Sequence, residues 1–262
     1  MSELPHRSSL ERALLGAYAF AARQLDMQHG VAGRFYRCAY FCYKRFADRA
    51  LLRAARRYIA PQTLVLDIGA NIGFFARAIA RAHDVTVIAF EPDPINFESL
   101  LQVAAKSASR IEPYCVALAD TTGTATLYLS DLAPTDHKLI NTRSSSTREV
   151  SVTRLDDFMD QHPTYRSRPI SLIKIDVQGA ELMVLRGMRN TLAQNRYPPI
   201  LVEYAPNDLS EAGVSPEQFF HAFAELGYRP CTAPDGVAHG PDWFIARVRS
   251  YTDILMLPAI LK

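Results

Sequence analysis

The chain has 262 residues, 48% hydrophobic and 21% charged, and its 29 basic against 27 acidic side chains leave a net charge of +2. That length and composition can bury one large core, which excludes two full domains and fits one α/β domain with an appendage. Four cysteines, Cys38, Cys42, Cys115 and Cys231, are too scattered for a disulfide framework. Cys38 and Cys42 could share a helix face but have no further ligand at metal spacing, so no metal is expected, and a reduced, cytoplasmic setting is.

Residues 1–60 read as a helical appendage. Leu10, Ala13, Leu14, Ala17, Tyr18, Ala21 and Leu25 keep one apolar stripe at helical spacing up to Gly30. Arg7 and Arg12 precede the short apolar run 13–22 as they would in a signal peptide. Glu11 abuts that run and Arg23 closes it, so it is too short to span a bilayer. Arg34, Arg37, Lys44, Arg45, Arg49, Arg53, Arg56 and Arg57 then stand against a single acid, Asp48, with Phe35, Tyr36, Tyr40, Phe41, Tyr43 and Phe46 between them. Two readings stay open: a solvated helix whose aromatics pack on the core, or a surface for an anionic membrane or a phosphate-bearing substrate.

Pro61 stops this helix, and residues 61–262 read as the main domain. The apolar run Leu64, Val65, Leu66 ends in Asp67. Gly69, Asn71 and Gly73 follow at alternate positions, with Ala70 among them, and Phe74, Phe75, Ala76, Ala78, Ile79 and Ala80 continue at helical spacing. Such a strand, turn and helix leaves backbone N–H groups aimed beyond the carboxyl end of the strand. Glycines let the backbone approach a ligand with positive φ, and Asn tolerates that region best among residues with a side chain.

A dinucleotide turn would be GxGxxG, set against a pyrophosphate; DxGxNxG with an acid at the strand end suits a ligand carrying positive charge. The next strand, residues 85–90, ends in Glu91 followed by Pro92. Glu91 lies 24 residues after Asp67, close to the offset of about 20 at which an acid accepts from a ribose diol. An adenosine bearing a sulfonium and an ammonium, S-adenosylmethionine (SAM), meets both conditions.

Residues 96–105 read as a helix and residues 114–118 as a third strand ending in Ala119 and Asp120. Residues 124–129 and 150–155 alternate as strands and pair across a long polar loop, 130–149, able to reach over the cofactor crevice. Within it, His137 is the residue best suited to take a hydroxyl proton near neutral pH. Residues 171–175 form a fourth strand ending in Asp176, and Val177, Gln178 and Gly179 lead into a helix over 180–189. Because ligands bind at the carboxyl ends of parallel strands, Asp176, Gln178 and Glu181 are candidates to touch donor or acceptor. Asp176 could equally cap the following helix.

A fifth strand, 200–202, ends in Glu203 and Tyr204. Ser215, Pro216, Glu217 and Gln218 make a capping box that opens a helix ended by Gly227. Residues 228–232 and 243–248 are expected to form a closing hairpin, and the apolar tail 254–261 to dock back.

DIGANIG, FEPDPINFESL, CVALAD, LDDFM and LIKIDVQGAELMVLRGM follow one another in the order and spacing of the FkbM-type SAM-dependent methyltransferases, which the chain resembles over residues 60–230. Many members carry Glu where Gln178 stands. The resemblance implies a class I, Rossmann-like α/β fold with a mostly parallel sheet of about seven strands and helices on both faces. It also implies O-methylation of a sugar or natural-product hydroxyl. On that pattern Asp67, Gly69, Ala70, Asn71, Gly73, Phe74, Glu91, Pro92, Asp120 and Asp176 hold the cofactor, with Asp67 at its cationic end and Asp120 near adenine. Family members with an Asp-His-basic-Leu run, here Asp136 to Leu139, place His137 and Lys138 at the acceptor with Gln178, Glu181 and Glu203. His137 or Asp176 would take the proton.

The nucleobase-amine run NPPY is absent, as is a Pro-Cys nucleophile for carbon methylation. Two rivals remain: an RNA methyltransferase using the basic segment for phosphates, and a noncatalytic scaffold attaching through its N-terminal helices. Nucleic acid is the less favoured partner.

Overall fold

The computed structural model describes residues 41–42, 44–45, 47–108, 110–129, 138–139 and 146–259. The expected stripe over residues 10–25, the arginines before residue 41, and His137 lie outside them.

Helix α1 (Arg49–Arg56) buries Leu51, Leu52, Ala54 and Ala55 against the core rather than standing apart from it. Strand β1 (Leu64–Ile68) runs through the turn into α2 (Phe74–Ala82), and β2 (Thr86–Phe90) leads to α3 (Pro94–Ala104). The Asp93 side chain caps α3 by accepting from the Asn96 N–H at 3.1 Å. Strand β3 (Ile111–Tyr114) is followed by β4 (Ala117–Leu118), β5 (Gly123–Tyr128) and β6 (Thr147–Thr153), then by α4 (Leu155–Gln161) and α5 (Pro163–Arg166). Next come β7 (Ile170–Ile175), α6 (Glu181–Arg186), α7 (Arg189–Gln194) and β8 (Ile200–Tyr204). Helices α8 (Pro206–Glu211) and α9 (Pro216–Glu225), strand β9 (Tyr228–Thr232), helix α10 (Pro241–Arg247) and strand β10 (Thr252–Pro258) complete the described fold.

The main sheet has seven strands in the order β3-β2-β1-β7-β8-β10-β9, with β10 antiparallel to both neighbours. Strand β1 pairs in parallel with β2 on one side and β7 on the other, so the chain order reverses between β1 and β7. A crevice opens there beyond the carboxyl ends of the strands, where this topology binds ligands. The sheet is covered on both faces. Leu64, Leu66 and Ile68 belong to one core cluster and Val65 to the other, as the two-residue period of a strand requires.

Strands β5 and β6 pair antiparallel as their alternation predicts, and with β4 they form a separate three-stranded sheet. The single strand expected over 114–118 is therefore two: β3 joins the main sheet, the chain leaves it at Cys115, and β4 pairs in parallel with β6.

The closing hairpin differs more. Residues 243–248 fall in and just after helix α10, because Pro241 sits in its first turn after Gly240 and Phe244 and Val248, four apart, are its buried face. Trp243 lies on another side beneath the Arg247 guanidinium, 4.8 Å from the ring centre. The antiparallel partner of β9 and β8 is instead the apolar tail: Ile254, Leu255 and Met256 of β10 are fully buried between them. The capping box at Ser215 forms as expected.

Candidate active site

The turn between β1 and α2 has positive φ at Gly69 (80°), Asn71 (51°) and Gly73 (84°). Gly69 and Ala70 donate their N–H groups to the Phe90 carbonyl at 3.1 and 2.9 Å, which stitches the turn to the end of β2. Asn71 donates its backbone N–H to Glu91 Oε2 at 2.8 Å, and Asp93 donates its own to Oε1 at 2.9 Å. Two amides thus hold the Glu91 carboxylate in one orientation at the wall of a cavity of about 380 Å³. Burial pushes that carboxyl up to about 7, against the pull of the two amides.

Below the turn lies an ion network. Asp67 and Lys174 are register partners on β1 and β7, and Lys174 Nζ sits 3.7 Å from Asp67 Oδ1 and 2.9 Å from Asp176 Oδ2. Asp67 is fully buried, and its Oδ2 accepts the Ala76 N–H at 3.1 Å, tying β1 to α2. Burial raises the Asp67 carboxyl, with Lys174 opposing. Burial would raise Asp176 too, but Lys174, helped by Lys44 and the Gln178 amide, outweighs it and holds Asp176 below its ordinary value.

At the far end of the cavity Gln178, with φ of 52°, donates from Nε2 to Asp176 Oδ1 at 3.1 Å and to Glu203 Oε2 at 2.9 Å. One neutral amide thereby bridges two carboxyls. Asp253 of β10 lies directly opposite Glu203 of β8 in the antiparallel ladder, and both line the cavity.

The predicted residues divide accordingly. Gly69, Ala70, Asn71, Phe74, Glu91, Pro92, Asp176, Gln178 and Glu203 line one cavity, and Gly73 starts α2 beside it. Asp67 does not line it: as the register partner of Lys174 it is packed, fully buried, into the sheet. Asp120 is not in the lining either. Its carboxylate pairs with Arg186 Nε at 2.8 Å because the chain has already turned into the small sheet, and Val116, Ala117 and Leu118 form the wall instead. Glu181 is 2% exposed, accepts the Gly179 N–H at 3.0 Å and so holds the turn after β7, outside the cavity lining. Lys138 is spent on Asp208 and Glu211 of α8, at 2.8 and 2.6 Å, and leaves its neighbour Leu139 in the lining.

Sequence reading missed Lys174 and Asp253. A lysine inside the apolar run of a doubly covered strand was a signal, since a charge there must be paired. Asp253 gave none, standing as a lone acid before an apolar tail.

Glu91, Glu181 and Asp253 all sit at about 7, each chiefly through burial. A carboxyl raised in the folded chain binds its proton more tightly there than when unfolded. Its stabilising contribution is complete below the unfolded value near 4 and is lost as pH rises through about 7. Urea midpoints are therefore expected to fall from pH 5.5 to 8, as the unfolding free energy drops by on the order of a few kcal/mol in total. A midpoint that rises over this range would contradict the assignment.

The chemistry of the lining can be set against a ligand. Phe90, Ile72, Val116, Ala117 and Leu118 make an apolar wall beside Glu91, fit for a purine with its ribose hydroxyls on the carboxylate. The Asp176 carboxyl, held below its ordinary value beside Lys174, suits positive charge. A nucleoside ending in a cation, held beyond this strand order, makes the protein a class I SAM-dependent methyltransferase. The methyltransferase FkbM domain family matches residues 67–230, and the chain belongs to that family.

Among its relatives, the hexuronic acid methyltransferase AglP of Haloferax volcanii is 26% identical over 178 residues, 68% of each chain. The 2-O-methyltransferase NoeI of Sinorhizobium fredii is 29% identical over 58% of this chain and 67% of its own. The 31-O-demethyl-FK506 methyltransferase FkbM of Streptomyces tacrolimicus is 29% identical over 58% and 69%.

Proposed function

We propose that this enzyme methylates a hydroxyl of a sugar, glycan or natural product. The observation that carries the reading is the far end of the cavity, where Asp176, Glu203 and Asp253 offer hydrogen-bond acceptors to hydroxyl groups opposite Glu91. The names of AglP, NoeI and FkbM, two of them marking oxygen methylation, support it. SAM supplies an activated methyl group with its own leaving group. The chain's part is to hold the ribose through Glu91, orient the acceptor and exclude water.

The acidic lining also argues against a phosphate backbone as the acceptor: among the described residues Asp48, Glu91, Asp176, Glu203, Asp208 and Asp253 stand against Lys44 and Lys174. No helix among them is long and apolar enough to cross a membrane.

Calorimetric titration with S-adenosylhomocysteine tests the cofactor half. Glu91→Ala removes charge-assisted bonds to the ribose and is expected to weaken binding by about 1.5–3 kcal/mol, roughly ten- to a hundredfold. Unchanged affinity in a folded variant would remove Glu91 from the site. The acceptor half is tested by methyl transfer from labelled SAM to a panel of methyl glycosides and polyketide alcohols, with transfer RNA as the counter-substrate. Label on RNA alone would overturn the reading.

A further inference from the structure

We propose that Glu203 takes the proton from the acceptor hydroxyl, with Asp253 across the ladder as its tuning partner and Gln178 as its positioning residue. The inference rests on the methyltransferase reading and goes beyond it by naming the base.

The geometry selects Glu203 among the carboxyls of the cavity. Glu91 already accepts two backbone amides at the ribose end. Asp176 is tied to the Lys174 ammonium at 2.9 Å and to Gln178, and a carboxylate so paired is a weak base. Glu203 accepts one hydrogen bond, from the Gln178 amide on Oε2, and among the described residues no cation pairs with it. Its Oε1 is left for a ligand.

Glu203 and Asp253 are Cα partners, so their side chains leave the same face of the sheet with Cβ atoms about 5 Å apart. Like charges directly opposite are unfavourable, and two such carboxyls on a cavity wall retain a proton more readily than one. The groups facing Glu203 reinforce this. Burial comes first, then Asp176 on the strand-end turn, Asp253, Glu181 on α6 and Asp208 on α8, all raising it. Around Asp253, burial, Asp48 and Asp176 raise the carboxyl while Lys44 and Lys174 oppose them.

The Gln178 amide has two hydrogens, and both are used, one on each carboxyl. A Glu at 178 carries at most one acidic hydrogen, so it could not donate to both, and it would add a third acid to the cluster.

In the step itself, the acceptor oxygen forms a bond to the methyl carbon as the carbon–sulfur bond breaks. The bonding pair stays on sulfur, which loses its positive charge. The O–H proton passes to Glu203 Oε1, so a carboxylate and a sulfonium become a carboxylic acid and a thioether, and charge balances.

The test combines carboxyl titration with kinetics. Protein carrying ¹³C-labelled Glu and Asp side-chain carboxyls is titrated from pH 4 to 9 with S-adenosylhomocysteine bound, and the resonances are assigned with Glu203→Gln and Asp253→Asn. Glu203 is expected to titrate well above the ordinary glutamate range and to drop by at least about one pH unit in Asp253→Asn. Ordinary titration of Glu203, unmoved by that substitution, would overturn the proposal even if no acceptor in the glycoside panel turned over.

With an acceptor, Glu203→Gln is expected to lower kcat about 100- to 10,000-fold while affinity for S-adenosylhomocysteine stays within about threefold. Asp253→Asn should move the rising limb of the kcat–pH profile to lower pH with the KM for SAM unchanged. A Glu203→Gln enzyme that keeps kcat within about threefold would also overturn it. Failure of wild type to bind S-adenosylhomocysteine would instead fall on the cofactor reading.

Discussion

Lys174→Met is expected to cost about 3–5 kcal/mol of stability, because it leaves two carboxyls without their shared cation. Asp67 is fully buried, and its Oδ1 has no hydrogen-bond partner, only the Lys174 ammonium at 3.7 Å. Asp176 loses its 2.9 Å partner in the same change. The Lys174 ammonium also lies 5.7 Å from the Phe75 ring centre, and methionine loses that contact too while keeping a stem of similar volume, so the loss comes from charge rather than from a cavity. Adding Asp67→Asn should recover part of it, since the neutral amide no longer needs a counter-charge. Urea unfolding at pH 7 measures both variants. A single-variant loss below about 1 kcal/mol would mean that water, not Lys174, satisfies these carboxyls.

The second large effect is expected from Gly69→Ala. A Cβ at residue 69 would lie 1.8 Å from the Asp176 carbonyl oxygen. That oxygen cannot simply withdraw, because the Asp176 N–H donates to the Ile68 carbonyl at 3.0 Å and fixes the end of β7 against β1. The turn must move instead, and with it the amides that orient Glu91. A loss of about 3–5 kcal/mol is expected, with affinity for S-adenosylhomocysteine reduced beyond detection.

Gly213→Ala separates the two causes. Its φ of 70° is also left-handed, yet nothing lies within 4 Å of the added carbon. It should cost only the conformational part, about 1 kcal/mol. Equal losses at Gly69 and Gly213 would show that backbone conformation, and not the approach of β7, dictates glycine at 69.

Much of the cofactor half was legible in the sequence. The positive φ values at Gly69, Asn71 and Gly73 are where the alternating Gly, Asn and Gly placed them, and Glu91 closes the second strand as its offset implied. Glycine tolerance, strand period and helix capping are local, so a window of a few residues carries them. The antiparallel pairing of β5 with β6 was equally readable from alternation on both sides of a polar loop.

Elsewhere local signals misled. Residues 243–248 looked strand-like, but Pro241 and the burial of Phe244 with Val248 make them helical, and the closing strand is the tail that was expected only to dock. Asp120 follows a strand in the sequence, yet the break at Cys115 sends it to Arg186 and away from the cavity.

By itself the sequence determined the turn, the acid that ends the second strand, the α/β class and the family, because short-range conformation and motif spacing encode them. Only the tertiary structure decided that Asp67 faces Lys174 inside the sheet, that Glu181 holds a turn, and that Asp253 stands opposite Glu203. These depend on strand register, which brings together residues far apart in the chain. A shift of one position would turn each side chain to the other face, and no local pattern records that choice.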